Sequence, residues 1–194
     1  TNTPGANSES VADLALALLL GAIRQVRMGD ARVRRGDWRA VRGEEIAQMS
    51  IGVLGFGRIG QAFAARVTAL GATVRAFDPL LPPDAALPDG VLRVADSRDL
   101  RACGAVSVHA AGARPLIDQA WLAAARGVHL VNTARAGLVV ESEVAAALRY
   151  GSLASYSADS LAGEFGDAAA SPLLAVELAE KVTITPHLGA QTSQ

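Results

Sequence analysis

A single cysteine, Cys103, stands in a chain of 194 residues, so no disulfide can form within it, and a reducing compartment is expected. Aromatic residues make up 4% of the chain while hydrophobic residues reach 51%. The core must therefore be built from Ala, Val and Leu, and the length suffices for one substantial core. Excess charge is missing as well. A formal charge of −1 exerts no general pull toward nucleic acid. Arg24 to Arg42 nevertheless forms a local basic stretch through Arg27, Arg32, Arg34, Arg35 and Arg39, which reads as a solvated or subunit-contacting arm. No apolar run reaches bilayer length: Val11 to Ile23 is too short and carries Asp13, and it lacks the basic leader and cleavage site of a signal peptide. These absences lead us to expect a cytoplasmic protein with neither nucleic acid nor membrane as partner. The first residue is Thr1, and Thr1 to Asn7 reads as a loop entering a helix, as in a domain excised from a longer protein.

What the chain has is Val53-Leu54-Gly55-Phe56-Gly57-Arg58-Ile59-Gly60. Glycines at these spacings allow a tight turn, close approach of a pyrophosphate to the backbone, and close packing of a helix on its strand. Alone such a run is a weak signal; its surroundings strengthen it. Ser50 to Leu54 reads as a buried strand, and Ile59 to Leu70, with Phe63, Val67 and Leu70 on one face, reads as a helix closed by Gly71. The helix N-terminus, with the Arg58 and Ile59 amides, faces the place where a diphosphate would lie. Thr73 to Phe77 is the next strand, with Asp78 at its carboxyl end, where a ribose diol is accepted. A carboxylate there repels a 2′-phosphate, and Pro79, Leu80 and Leu81 offer no cation, so NAD is favoured over NADP. The same glycines would also suit a strand-turn-helix without a ligand.

Asn7 or Ser8 can cap a first helix, with Glu9 in its first turn and Val11, Leu14, Leu18 and Leu19 on an apolar face running toward Met28; an arm with Trp38 follows. Leu81 to Gly90 is a surface loop. Val91 to Val94, Ala105 to His109, Val128 to Asn132, Leu153 to Ala158 and Val182 to Thr185 are short apolar strands, with helices at Asp118 to Arg126 and Glu141 to Tyr150 closed by Gly127 and Gly151. Gly166 to Ala170 reads as a flexible loop. Strands alternating with helices predict an α/β fold, a Rossmann-like doubly wound parallel sheet flanked by helices. Its ligand crevice lies at the carboxyl ends of the strands, which singles out Asp78, His109, Asn132 through Arg135, Asp159 and Pro186-His187. His129, inside a strand, reads as a packed histidine.

Among these residues Arg135 and His187, together with Glu164, have the side chains that an alcohol–carbonyl interconversion beside a nicotinamide requires. A histidine takes the hydroxyl proton as hydride leaves. A carboxylate bonded to it holds its orientation and raises its pKa. A guanidinium binds a substrate carboxylate in a fork. Taken singly, each has a plain structural reading: surface cation, loop carboxylate, turn histidine.

The stretches Asn7 to Leu16 (NSESVADLAL), Ile51 to Gln61 (IGVLGFGRIGQ), Asn132 to Val139 (NTARAGLV), Asp159 to Glu164 (DSLAGE) and Thr185 to Thr192 (TPHLGAQT) resemble, in order and over nearly the whole chain, the nucleotide-binding domain of D-isomer-specific 2-hydroxyacid dehydrogenases. The last is particularly similar to D-3-phosphoglycerate dehydrogenases. The resemblance implies an NAD-dependent oxidoreductase domain spanning 1–194 and acting on a D-2-hydroxy acid or 2-oxo acid, with 3-phosphoglycerate nominated. Arg135 would bind substrate, His187 would be the acid/base and Glu164 its partner. Gly55, Gly57, Arg58, Ile59, Gly60, Asp78, His109, Thr133, Ala134, Arg135, Asp159 and the turn His187, Leu188, Gly189 and Ala190 would touch the cofactor, with no metal. Residues 5–43 would pair two copies into a homodimer. A substrate domain, which precedes this segment in the family and is completed by a C-terminal helix, is not evident.

The chain departs from the family pattern at Ala136, where glycine is usual and a positive φ would strain alanine. Val140 stands where aspartate is common, Ser160-Leu161 replaces Val-Phe, Phe165 replaces proline, and Ala110 to Arg114 forms a shorter loop. The departures at Ala136, Val140 and Ala110 to Arg114 motivate a second reading, a catalytically weak or inactive module that binds or senses NAD(H). A third, a methyltransferase using the glycine turn for S-adenosylmethionine, is more distant.

Overall fold

The computed structural model describes residues 7–192. Seven strands form one sheet: β1 Ser50–Leu54, β2 Thr73–Phe77, β3 Val91–Arg93, β4 Ala105–Val108, β5 Val128–Asn132, β6 Leu153–Ala158 and β7 Val182–Ile184. Their spatial order is β3-β2-β1-β4-β5-β6-β7, and every neighbouring pair is parallel. The order reverses at β1 and β4, so the crevice of a doubly wound sheet falls beyond their carboxyl ends.

Each face carries its own core, because strands buried on both faces must be apolar on both. On one, α1 (Ser8–Ile23) and α3 (Arg58–Ala69) cover Ile51, Val53, Val74, Ala76 and Val131 with Ala12, Ala15, Leu19, Phe63 and Val67. On the other, α4 (Gln119–Ala124) and α5 (Glu141–Tyr150) cover Val106, Val108, Val128, Leu130 and Tyr156 with Trp121, Leu122, Val144 and Leu148. Aliphatic side chains supply most of both, as the scarcity of aromatics implies. Full burial of Phe63 or Leu148 stabilises by about 1.5–3 kcal/mol each.

The strands agree with the sequence reading to within a residue at their ends. Two helices do not. The first is expected to run toward Met28 but stops at Ile23; Gln25 adopts φ 53° and a separate helix, α2 (Val26–Arg34), begins. The apolar face ends at Ile23, and α2 buries no residue, so no packing energy favours one straight helix over the break. Asn7 occupies the capping position of α1 without a side-chain cap. The helix read over Asp118 to Arg126 shortens to α4, because Asp118 caps it by accepting the Trp121 amide at 2.8 Å and Ala125 is already extended. The loop read over Gly166 to Ala170 contains a single 3₁₀ turn, Ala168–Ala170. Residues 1–6 of the expected entry loop lie outside the described residues.

Three of the seven arginines in the basic stretch have acidic partners. Arg34 pairs with Asp30, Arg35 with Glu180 and Arg39 with Asp37, and Arg27 donates to the Val182 carbonyl. Val26, Val33 and Trp38 are exposed along it. Among the described residues no helix is long and apolar enough to cross a membrane.

Candidate functional site

The glycine turn is shaped by backbone contacts. Gly55 has φ 93°, and a Cβ there would fall 2.5 Å from the Ala110 nitrogen. A Cβ on Gly60 would fall 2.1 Å from the Gly55 oxygen, so these two glycines let the turn close and α3 approach it. Gly57 differs: its φ is −73° and its Cβ position meets nothing within 4 Å. It caps α3 without a side chain, and Gln61 N–H donates back to its oxygen at 2.9 Å. The Arg58, Ile59 and Gly60 amides are thereby left without helical partners, which suits an anion. Asp78 Oδ2 accepts the Phe56 amide and Oδ1 the Leu80 amide, both at 2.8 Å. The carboxylate thus ties the end of β2 to the turn and keeps lone pairs for a diol.

Beyond the carboxyl ends of the central strands lies a cleft of about 390 Å³. Ile59, His109, Thr133, Ala134, Arg135 and Asp159 line it, as do His187, Gly189 and Ala190. Nine expected residues therefore share one space, joined by Asn7, Val11 and the short loop Ala110 to Gly112. Leu188 is exposed and does not line it. Gly55, Gly57, Arg58, Gly60 and Asp78 stand outside its lining, along the glycine turn and the end of β2.

Two buried polar atoms in the cleft wall have no partner, His109 Nδ1 and Thr133 Oγ1. Leaving such a group unpaired costs about 1–3 kcal/mol, so both fit a ligand with polar edges. The His109 ring lies 5.0 Å from that of Phe63, and its Nε2 is 2.9 Å from Ser107 Oγ. Burial pushes its pKa down to about 3, so the ring is neutral and offers one donor and one acceptor. Open space at Gly57, free amides at the start of α3, the Asp78 carboxylate and these orphaned atoms together suit a dinucleotide.

The other wall is made of turns held by side chains. Asn132, fully buried at the end of β5, accepts the Ala134 amide at 3.1 Å and donates to the Arg135 carbonyl at 2.9 Å. This curl sets Arg135, exposed, at the mouth. Ala136 begins a 3₁₀ turn, and the positive-φ non-glycine residues among those described are Gln25 and His187. The strain expected at Ala136 is absent because this turn needs no left-handed residue there.

Asp159, 4% exposed, was expected to touch the cofactor; it lines the cleft, yet both its oxygens serve the histidine turn. Oδ1 accepts from Thr185 Oγ1 at 2.5 Å and from the Leu188 amide at 2.8 Å, while Oδ2 accepts the Gly189 amide at 2.7 Å. Ser10 Oγ reaches from α1 to the Gly189 carbonyl at 2.8 Å. The turn so clamped holds His187 at φ 57°, with Nδ1 3.0 Å from Glu164 Oε1. A carboxylate at Nδ1 selects the tautomer protonated there and leaves Nε2 free for proton exchange. Sequence reasoning missed Ser10 and the bonding of Asn132, since neither residue type announces a role; both lie inside motif stretches, which was the signal available.

A larger depression of about 700 Å³ lies between α1–α2 and β6–β7, and His129 borders it. His129 is 7% exposed and bonded to Ser155 Oγ at 2.7 Å and Glu44 at 3.2 Å, a packed histidine away from the cleft.

The model of the D-isomer specific 2-hydroxyacid dehydrogenase NAD binding domain matches residues 16–189. This chain belongs to that family. It is 41% identical over 202 residues to the D-3-phosphoglycerate dehydrogenase of Mycobacterium tuberculosis strain H37Rv, all of the chain aligning with 37% of that protein. Among solved structures it is similar to a D-lactate dehydrogenase from Treponema pallidum, at TM-score 0.87 and 28% identity over 99% of this chain and 62% of that one. A D-lactate dehydrogenase from Aquifex aeolicus complexed with NAD and lactic acid superposes at TM-score 0.85 and 25% identity, over 100% of this chain and 63% of that one. The domain is thus an NAD-binding one, and it spans well under half the length of the curated relative.

Proposed function

We propose that the chain is the cofactor-binding half of an NAD-dependent dehydrogenase acting on D-2-hydroxy acids and their 2-oxo counterparts. The observation that carries this reading is the His187–Glu164 pair at 3.0 Å, set on the rim of the cleft that Arg135 and the glycine helix share. NAD, when bound, accepts or supplies the hydride. His187 exchanges the hydroxyl proton at Nε2, Glu164 fixes the ring and balances the imidazolium, and Arg135 forks the substrate carboxylate. Thr133, Ala134, His109 and the α3 amides hold the cofactor, and Asp78 takes its ribose. Similarity to phosphoglycerate dehydrogenases nominates 3-phosphoglycerate as substrate.

Calorimetric titration with NADH should show saturable binding that Asp78→Ala weakens; an absence of binding at millimolar cofactor would overturn the assignment. In the intact protein, His187→Ala should abolish reduction of 2-oxo acids. The alternative, a module that senses NAD(H) without turnover, rests on the substitutions at Val140 and Ala110 to Arg114. It loses the argument from strain at Ala136, and turnover of any 2-oxo acid with NADH would dismiss it.

We propose further that two copies pair through residues 5–43, within a cytoplasmic enzyme. Support comes from α2, which buries nothing, and from Val26 and Trp38, which are 60% and 80% exposed. Val26→Asp combined with Trp38→Ala should convert dimer to monomer in sedimentation.

A further inference from the structure

Glu141 opens α5 on the far side of the Glu164 loop and takes no part in the roles assigned above. Its carboxylate nevertheless holds both ends of that loop. Oε1 accepts the Ala162 amide at 2.6 Å, and Oε2 accepts the Ser171 hydroxyl at 2.6 Å. The segment between these anchors carries Glu164, whose own amide donates to the Leu161 carbonyl at 3.2 Å. Gly163 turns it at φ 77°, and Phe165, beside Glu164, is 93% exposed. A segment with so little burial derives its order from its anchors. Charge-assisted bonds to a carboxylate are stronger than bonds between neutral groups, and Ser171 is 8% exposed, so its end of the clamp is sheltered from water.

We propose that Glu141 is a positioning residue for the reaction: by closing the 162–171 loop it holds Glu164 at His187 Nδ1 and thereby sets the tautomer of the acid/base. The inference rests on the reading of Glu164 and His187 as a functional pair. A residue that acts only by placing another leaves a specific trace. Once Glu164 is removed, removing Glu141 should cost nothing more.

The test uses the intact protein with Glu141→Ala, Glu164→Ala and the double variant, and Glu141→Gln as a same-sized substitute should the alanine variant fail to fold. Turnover of 2-oxo acids should fall about 10²-fold on loss of Glu141, the scale of a misplaced catalytic group, with the KM and the NADH Kd within about twofold. The double variant should be no slower than Glu164→Ala alone. The second readout needs no cofactor. In protein labelled with ¹⁵N-histidine, the ring nitrogens of His187 should report loss of the Nδ1-protonated tautomer in both single variants, whereas Ser171→Ala, which frees only the far anchor, should shift it less. Additive losses in the double variant, or an unchanged tautomer in the Glu141 variants while Glu164→Ala alters it, would overturn the proposal. An unchanged tautomer and rate in Glu164→Ala would instead remove the pair reading itself.

Discussion

On the β1–β2 side of the cleft the cofactor turn is built from backbone, with Gly55 and Gly60 packed so closely that a Cβ would enter neighbouring main-chain atoms. On the β5–β7 side the turns that carry Arg135 and His187 are built from side chains: Asn132 curls the Arg135 turn, Asp159 clamps the His187 turn, and Glu164 holds the imidazole. Backbone contacts between buried elements tolerate almost no change of shape. Side-chain clamps can be released one at a time, so this wall can differ in detail between relatives while its turns keep their places.

The sharpest way to break this comparison is to alter the two sides of the glycine turn separately. Gly55→Val combines a left-handed φ with a clash against the Ala110 backbone and should destabilise the domain by about 2–5 kcal/mol; a denaturant midpoint measures it. Gly57→Ala has an ordinary φ and open space at its Cβ. It should cost about 1 kcal/mol of stability or less, the scale of alanine for glycine at a helix cap, yet weaken NADH binding about tenfold or more, because its methyl group would occupy the approach of the pyrophosphate. Equal effects of the two substitutions on folding would refute the division of labour between these glycines.

His109 joins the two walls, and its titration supplies a second test. Its folded pKa, lowered to about 3 by burial, lies below the value near 6.5 of an exposed histidine. The unfolded chain therefore binds a proton between about pH 6.5 and 3 that the folded chain refuses. Stability is full above pH 6.5 and falls as pH drops through that window. The Asp37 and Asp96 carboxylates, held to about 2 by side-chain bonds to Arg39 and Arg98, lose their contribution mainly below pH 4, and as surface pairs open to solvent they are weakly felt. His109→Phe preserves a ring against Phe63 and removes the titration. Its stability should be flatter than wild type between pH 4 and 6.5 by chemical denaturation, and an unchanged slope would place the acid sensitivity elsewhere.

Legibility followed the same division. The sheet could be read because each strand is a short apolar run bounded by turn residues, and the glycine turn because its spacing is a backbone requirement. Arg135, Glu164 and His187 were legible as a set through motif order, since nothing local marks Glu164 as a partner of His187 across the fold. Glu141 and Ser10 were not: a carboxylate in a first helical turn and a serine near a helix start have ordinary explanations, and their reach to Ala162, Ser171 and Gly189 exists only in three dimensions. The break at Gln25 was missed because the sequence shows where an apolar face ends, not whether the backbone continues straight without it.

The smallest effect comes from a departure that the sequence did show. Val140 occupies the capping position of α5, with extended backbone and no side-chain cap, and the amides of Glu143 and Val144 both turn back to its carbonyl. An aspartate there would accept an amide of the first turn and place negative charge at the positive end of the helix. Crowding by Glu141 and Glu143 would offset part of this gain, so Val140→Asp should stabilise the domain by about 0.5–1 kcal/mol in thermal unfolding. Because α5 carries Glu141 at its first position, a firmer helix start also bears on the loop that holds Glu164. If the side-chain wall is limited by the order of its anchors, the same substitution should slow hydrogen exchange at the Ala162 amide. Exchange there as fast as in wild type, with α5 itself stabilised, would show that the Glu164 loop opens independently of the helix that clamps it.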